Sequence, residues 1–508
     1  MSEKTAENVE QASERDRLQL IVSMATSGDL ESASRLASTM RNEALACEAW
    51  VLLSRINANS QRFDAARATI EIALQHQPAS PVLHFERAIL MEQQGLEPEA
   101  LVEFEALERE FGENPRLLVP LARVQASLGR ASEAEARIEA ALMRWPLDVP
   151  LHYLLAQLRW QRGAGKATTR LLEQAIAEHP QELQLRLVAA DVLRNAGFAQ
   201  QALQLLEDGL KLAPASPTFL TSVGVLLDAL DRPVDALPYL QAAVTRSQGE
   251  AQPKRNLLPT LLRLDAAAEA LQICDTLIAQ APDDQQLIAY RATALRMLGD
   301  AGYSQLHDYE RLVRIYRPRA PEGFSDIAAF NAEFARELLR LHGSAQRPLA
   351  QSLRGGSQTD RNLPGGHPLV AAFFSLIDAP IRDYIAHLRN EHRGHPTDRR
   401  RCADYRLAGS WSVQLQPGGF HVNHVHPQGW LSSAYYVELP GDPGDDATRA
   451  GWLKFGEPGM PLAACPADHF VKPEAGMLVL FPSYLWHGTV PFESGGRRLT
   501  AAFEVLPA

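Results

Sequence analysis

The chain has 508 residues, 46% hydrophobic and 22% charged, with a formal net charge of −11. That length exceeds one ordinary core and calls for about two to four domains. The acidic balance disfavours nucleic-acid binding, which needs a basic face, and no run of about eighteen apolar residues is present to cross a membrane as a helix.

The opening segment MSEKTAENVEQASERDR is polar and lacks the apolar core of a secretory signal. Cys47, Cys274, Cys402 and Cys465 are scattered without a CxxC pair. This argues against a disulfide framework or a cysteine zinc site and points to a reducing, cytoplasmic setting.

Periodicity organises residues 15–318. Gly95, Gly129, Gly163 and Gly197 stand 34 residues apart, and the same step reaches Asp231, Asp265 and Gly299. Five residues later in each period come Ala66, Ala100, Ala134, Ala202, Ala236 and Ala270, with Thr168 the exception. Seven residues before the glycines come Ala88, Ala122, Ala156, Ala190, Gly224 and Ala292, with Leu258 out of pattern. Pro78, Pro146, Pro180, Pro214 and Pro282 close the repeats. Small residues at fixed positions let paired helices approach closely. The glycine suits a turn of positive φ, and the proline ends the second helix. Between these landmarks the pattern is amphipathic. A 34-residue helix–turn–helix of this kind resembles the tetratricopeptide repeat, here in about eight or nine copies. The resemblance implies an α-solenoid whose concave face holds a peptide or protein. Self-association as a homo-oligomer, or simple spacing, is the alternative use. The segment Val244–Lys254 breaks the period, and the first repeat, near Gly28, is one residue out of step.

After Pro318 the period stops, and residues 319–400 read as a helical connector. Phe324–Leu341 and Leu369–Leu388 have helical patterns, separated by a glycine-centred polar loop, Gln351–Asp360. Arg354 and Gln358 on this loop are candidate substrate contacts, and an ordinary surface turn is the competing reading. Arg399-Arg400-Arg401 reads as a solvated patch.

Residues 401–508 change texture. Short β-like runs alternate with Gly/Pro turns: Gly409–Leu415, Phe420–His426, Trp430–Leu439, Gly451–Gly456, Gly476–Phe481, Thr489–Phe492 and Arg498–Leu506. They suggest a sandwich or jelly-roll barrel. His424 and His426, one residue apart on an extended run, share a side, and His487 follows a neighbouring buried run. Three imidazoles that leave other positions open suit a catalytic metal such as Fe(II). Arg498 and Thr500 share a strand face and could hold a carboxylate together, with Tyr436 as a phenol donor and Arg497 as the runner-up cation. His421 is a candidate second-rank ligand, placed by its offset of three on the opposite face unless a bulge intervenes. Trp411, Trp430, Trp452 and Trp486 could line a substrate pocket, with core packing the expected role of at least two. His469 reads as a surface loop residue.

Ser410-Trp411-Ser412-Val413, Phe420–Pro427, Leu431–Tyr436, Gly476–Pro482 with Ser483, and His487 with Arg498-Leu499-Thr500 resemble the 2OG-Fe(II) oxygenase family often appended to bacterial tetratricopeptide proteins. The resemblance covers residues 345–508. It implies a double-stranded β-helix with a helical preface, in which 2-oxoglutarate is oxidatively decarboxylated by O2 while a second substrate is oxidised, usually by hydroxylation. Carried over, Fe(II) falls on His424, His426 and His487, and 2-oxoglutarate on Arg498 with Thr500 and Tyr436. The wider superfamily has a carboxylate where His426 stands. Three neutral ligands leave the metal more positive, which alters O2 reactivity or favours another metal such as Zn(II). Two alternatives follow: a three-histidine, cupin-like dioxygenase that ignores 2-oxoglutarate, and a non-catalytic adaptor with a structural metal.

Overall fold

The computed structural model describes residues 13–26, 29–59, 62–342, 352–359, 363, 367–391, 395–400, 402–441, 444, 446–493 and 495–507. Gly28, Gln351, Asp360 and Arg401 lie outside the described residues. The chain divides into two compact units, Met1–Arg144 and Trp145–Ala508.

The first unit is built of helix pairs such as Glu43–Asn59 with Phe63–His76, Pro81–Gln93 with Glu97–Phe111, and Pro115–Ser127 with Ala131–Arg144. The second opens in the same way and carries the repeat through Gln285–Met297. The sequence registers have the expected physical roles in both. Ala66, Ala100, Ala134, Ala202, Ala236 and Ala270 are fully buried where helices cross. Gly95, Gly129, Gly163, Gly197 and Gly299 have positive φ, and Asp231 and Asp265 adopt φ 61 in the same turn. Aspartate tolerates this region better than most L residues. At the exception, Thr168, the second helix starts with a 3-10 turn, Gly165–Thr169, before Arg170–Glu178. The irregular Val244–Lys254 segment is a turn through Gln248 and Gly249, both at positive φ, between helices Pro233–Arg246 and Ala251–Arg263. No helix among the described residues is long and apolar enough to cross a membrane.

The repeat pattern ends earlier than Pro318. After the short helices Gly302–Leu306 and Tyr309–Leu312, residues Arg314–Tyr316 form strand β1. The remaining strands are β2 Leu353–Gln358, β3 Tyr405–His421, β4 Leu431–Glu438, β5 Leu453–Phe455, β6 His469–Val471, β7 Leu478–Pro482, β8 His487–Thr489 and β9 Arg498–Pro507. They make two antiparallel sheets, β1-β7-β4-β9-β3-β2 and β6-β5-β8, the two-sheet arrangement of a double-stranded β-helix. Four strands depart from the sequence reading. β1 falls in the repeat region, β2 replaces the expected polar loop, β6 carries His469, whose ring stacks on Tyr309 at 4.8 Å, and β8 ends at Thr489, where the expected Thr489–Phe492 run begins. The two runs expected around Gly409 and Phe420 are one bent strand, β3.

Glycines explain the bend. β2 crosses β3 so closely that a Cβ on Gly356 would lie 2.1 Å from the Gln414 carbonyl oxygen, and one on Gly419 2.3 Å from that of Gly355. Arg354-Gly355-Gly356 and Pro417-Gly418-Gly419 therefore nest as bare backbone.

Helices Ile327–Leu341 and Pro368–Glu391 cover the outer face of the large sheet. Phe330, Phe334 and Phe373 stack at 5.3 and 5.1 Å, and Phe373 meets Tyr435 of β4 and Phe503 of β9. His342, just past the first helix, has Ser357 Oγ of β2 and Ser412 Oγ of β3 within 2.9 and 3.1 Å.

The last repeat is built into the β domain. Trp486 donates its indole N–H to Thr293 Oγ1 (3.1 Å) and packs on Tyr290. Tyr303 and Tyr309 both donate to Asp468. Tyr484 donates to the Leu306 carbonyl. Met460, Trp486 and Val425 join the apolar core of the repeat helices. A chain starting at residue 319 thus lacks β1 and one side of this shared core. It is expected to show no cooperative near-UV circular-dichroism melt, whereas a chain starting at residue 145 melts cooperatively.

Burial pushes His307 down to about 3 and His342 to about 4 from an ordinary 6.5. Below pH ~6.5 the unfolded chain takes up these protons first, so this stability is present above that pH and lost as pH falls toward 4 and then 3. The thermal midpoint should fall over that range, less steeply in His342→Asn.

Candidate metal centre

β3 ends at His421, and the chain runs on through a bend rather than a continuous strand. His424 is held by a reciprocal backbone pair with His487: its N–H donates to the His487 carbonyl (2.9 Å), and the return bond is 3.1 Å. The His426 N–H donates to the Ser483 carbonyl at 3.1 Å. Between them Val425 points away into the repeat core. This alternation puts both imidazoles on the side of His487. The ring centroids of His424, His426 and His487 are 4.3 to 5.3 Å apart, and one nitrogen from each lies within 4.8 Å of the others, a group able to hold a metal ion.

The Nδ1 partners define which nitrogen is available. His424 Nδ1 faces the Val422 carbonyl at 2.8 Å, and His487 Nδ1 faces that of Leu485 at 2.9 Å. A carbonyl only accepts, so each Nδ1 carries the proton and each Nε2 keeps a lone pair. His426 Nδ1 meets the Glu504 carboxylate, an acceptor, and so also carries a proton. Burial pushes His424 down to about 3 and His487 well below its ordinary range, each helped by the neighbouring imidazoles. These rings are therefore neutral at neutral pH, as metal ligands must be.

The large sheet supplies the facing wall. Paired residues in an antiparallel sheet project to one side, and the register groups Trp411, Val413 and Leu415 of β3 with Ala502, Thr500 and Arg498 of β9. Tyr436 and Ser432 of β4 pair with Thr500 and Glu504, and Ser432 also pairs with Phe481. Phe481 meets His487 edge-on at 4.7 Å, and Trp411 stacks on His426 at 5.8 Å.

Arg498 is 3% exposed. Its Nη1 donates to Thr489 Oγ1 of β8 at 2.9 Å, two residues from His487, and its guanidinium lies 5.0 Å from the Tyr436 ring centre. Among the described residues no carboxylate pairs with it, and its Nε and the Tyr436 hydroxyl are buried without hydrogen-bond partners. A buried cation left this way is costly and suits an incoming anion. Arg497, by contrast, is neutralised by a forked pair with Glu438 at 3.1 Å. The residues thus fit an anionic cosubstrate beside a metal.

The other candidates divide. His421 is brought to the same side, 5.8 Å from His424, because the chain bends after β3, but it lies outside the ligand group and its Nδ1 meets Ser352 Oγ. Gln358 pairs with Val413 and so faces inward. Arg354 is exposed, and its Nη1 donates to the Leu353 carbonyl. Trp430 is 1% exposed in the core, its indole N–H on the Thr397 carbonyl, and offers no surface to a substrate. The sequence reading missed Glu504 and Thr489. Even spacing along β9 from Arg498 through Thr500 and Ala502 to Glu504 was the available signal for the first, whereas Thr489 required the pairing of sheets.

Alanine at His424, His426 or His487 is expected to abolish retention of Fe(II) or Co(II) after desalting, measured by elemental analysis, whereas His421→Ala retains it.

No curated protein matches the chain. Among solved structures, a tetratricopeptide repeat protein from Parabacteroides merdae is 19% identical, with 49% of this chain and 98% of that chain covered and a TM-score of 0.31. Yeast Tom70 is 16% identical at a TM-score of 0.39, with 49% of this chain covered and only 54% of Tom70 spanned. A Pseudomonas putida prolyl-4-hydroxylase is 18% identical at a TM-score of 0.27, with 40% of this chain and 98% of that chain covered. Residues 32–115 and 187–251 match the tetratricopeptide repeat family, and residues 409–504 match the family described as "Putative 2OG-Fe(II) oxygenase", so the chain joins tetratricopeptide repeats to an oxygenase-family domain at its C-terminal end.

Proposed function

We propose that the protein is an Fe(II)- and 2-oxoglutarate-dependent oxygenase that hydroxylates a side chain of a peptide or protein recruited by its repeats. One observation carries the cosubstrate: a buried Arg498 without a carboxylate partner among the described residues, on the same interior as three imidazoles grouped closely enough to hold a metal ion. When bound, Fe(II) with 2-oxoglutarate and O2 would supply oxidative decarboxylation coupled to hydroxylation of the second substrate.

The chain's own residues have separable tasks. His424, His426 and His487 would hold the metal. Arg498 would pair with the distal carboxylate of 2-oxoglutarate, with the Tyr436 hydroxyl as a further donor and Thr500 on the same face. Phe481 and Trp411 exclude water from one wall of the site. His421 and Gln358 stand at its edge as candidate substrate contacts. The repeats bring the substrate on their concave face, and self-association is the competing use. Four free cysteines fit the proposed cytoplasmic setting.

An anaerobic titration of Fe(II)-loaded protein with 2-oxoglutarate tests the reading. A visible charge-transfer band should appear, with affinity weakened by at least about tenfold in Arg498→Ala, the scale of losing one charged hydrogen-bonded contact. Bound iron with no band supports instead the three-histidine dioxygenase that ignores 2-oxoglutarate. Metal removal that unfolds the domain, with no succinate ever formed, supports the adaptor.

A further inference from the structure

The three candidate ligands are not equivalent. His424 and His487 each donate from Nδ1 to a backbone carbonyl, a neutral acceptor. His426 alone donates to a carboxylate, that of Glu504. Glu504 is the only acid among the described residues on the inward face of β3, β4, β7 and β9. The β-sheet period fixes it there: it lies an even number of residues from Arg498 on β9, and it pairs with Ser432 of β4. Both partners are largely shielded, with side-chain exposures of 16% for His426 and 20% for Glu504. Their interaction is therefore screened less than a surface pair would be.

A divalent ion held by three neutral imidazoles has no ligand charge to offset its own. A carboxylate on the far nitrogen of one imidazole makes that ring a stronger donor and brings a negative charge close to the ion without occupying a coordination position. From this asymmetry we infer that Glu504 is a positioning residue that supplies the centre's missing negative charge through His426. It acts by charge and not only by orienting the ring. The inference rests on the three-histidine metal reading above and is independent of which substrate is oxidised.

Two variants separate charge from orientation. Glu504→Gln keeps an acceptor oxygen for Nδ1–H but removes the charge, and Glu504→Ala removes both. Co(II) is titrated into the full-length apo chain and followed by its visible ligand-field absorption. Both variants are expected to bind about 10- to 100-fold more weakly than the unaltered protein, the scale for loss of such a partner. The Fe(III)/Fe(II) potential of the iron-loaded Glu504→Gln protein should rise, because the ferric state loses more from the missing charge. Glu504→Gln that binds Co(II) as tightly as the unaltered protein, with an unmoved potential, overturns the charge role while leaving the metal site standing. Unaltered protein that binds no Co(II) overturns the metal reading and this inference together. Should Glu504→Gln prove unstable alone, His426→Asp provides a second route. With a carboxylate placed directly at the ligand position, adding Glu504→Gln should no longer weaken binding. An undiminished loss in that background overturns the inference.

Discussion

The backbone pair between His424 and His487 is the constraint on which the centre depends. Two hydrogen bonds join the chain just past β3 to the start of β8, and so tie together residues distant in sequence. Because the residues are paired, their side chains project together. The next step of the alternation carries His426 to the same side and Val425 to the opposite one. Val425 packs into the core of the repeat helices. The pose of the imidazoles is therefore set partly by packing against an element that sequence alone assigns to another domain.

That continuity changes how the two halves relate within the second unit. Trp486 sits one residue before His487 and hydrogen-bonds Thr293 in the helix Gln285–Met297. The Gln285 N–H donates to the Pro427 carbonyl, one residue after His426. Candidate ligands on both sides of the centre thus adjoin residues anchored in the last repeat. Hydrogen bonds and apolar contacts of this kind make a shared core, with the repeat helix acting as a wall of the β domain.

The polar interior follows a simple electrostatic division. Arg497 and Arg498 are adjacent, yet the pleat sends them to opposite faces. Arg497 finds Glu438 and is neutralised there. Arg498 is buried, donates to the Thr489 hydroxyl and lies over the Tyr436 ring, with no carboxylate partner among the described residues. Glu504, farther along the same face as Arg498, goes to a histidine rather than to that arginine. One negative and one positive side chain stay apart on one wall, each beside a different part of the site.

Much of this was written in the sequence, for reasons of period. The 34-residue step, the buried alanines and the left-handed turn positions at Asp231 and Asp265 follow from local geometry that every repeat must satisfy, so they are legible in one dimension. The HxH spacing, the distal His487 and the shared face of Arg498 and Thr500 are legible by the two-residue period of strands. Other features required the third dimension. Arg314–Tyr316 and Leu353–Gln358 are strands because β7 and β3 offer them hydrogen-bonding edges, and a glycine-rich hexapeptide carries little strand propensity of its own. His421 joins the histidine side because the chain bends after β3, and Trp430 leaves it because helical residues around Thr397 cover it. Glu504 was visible as a residue on the right face, but only pairing across the sheet decided that its carboxylate meets His426. Local periodicity determines which side chains share a face, and tertiary contact determines which of them touch.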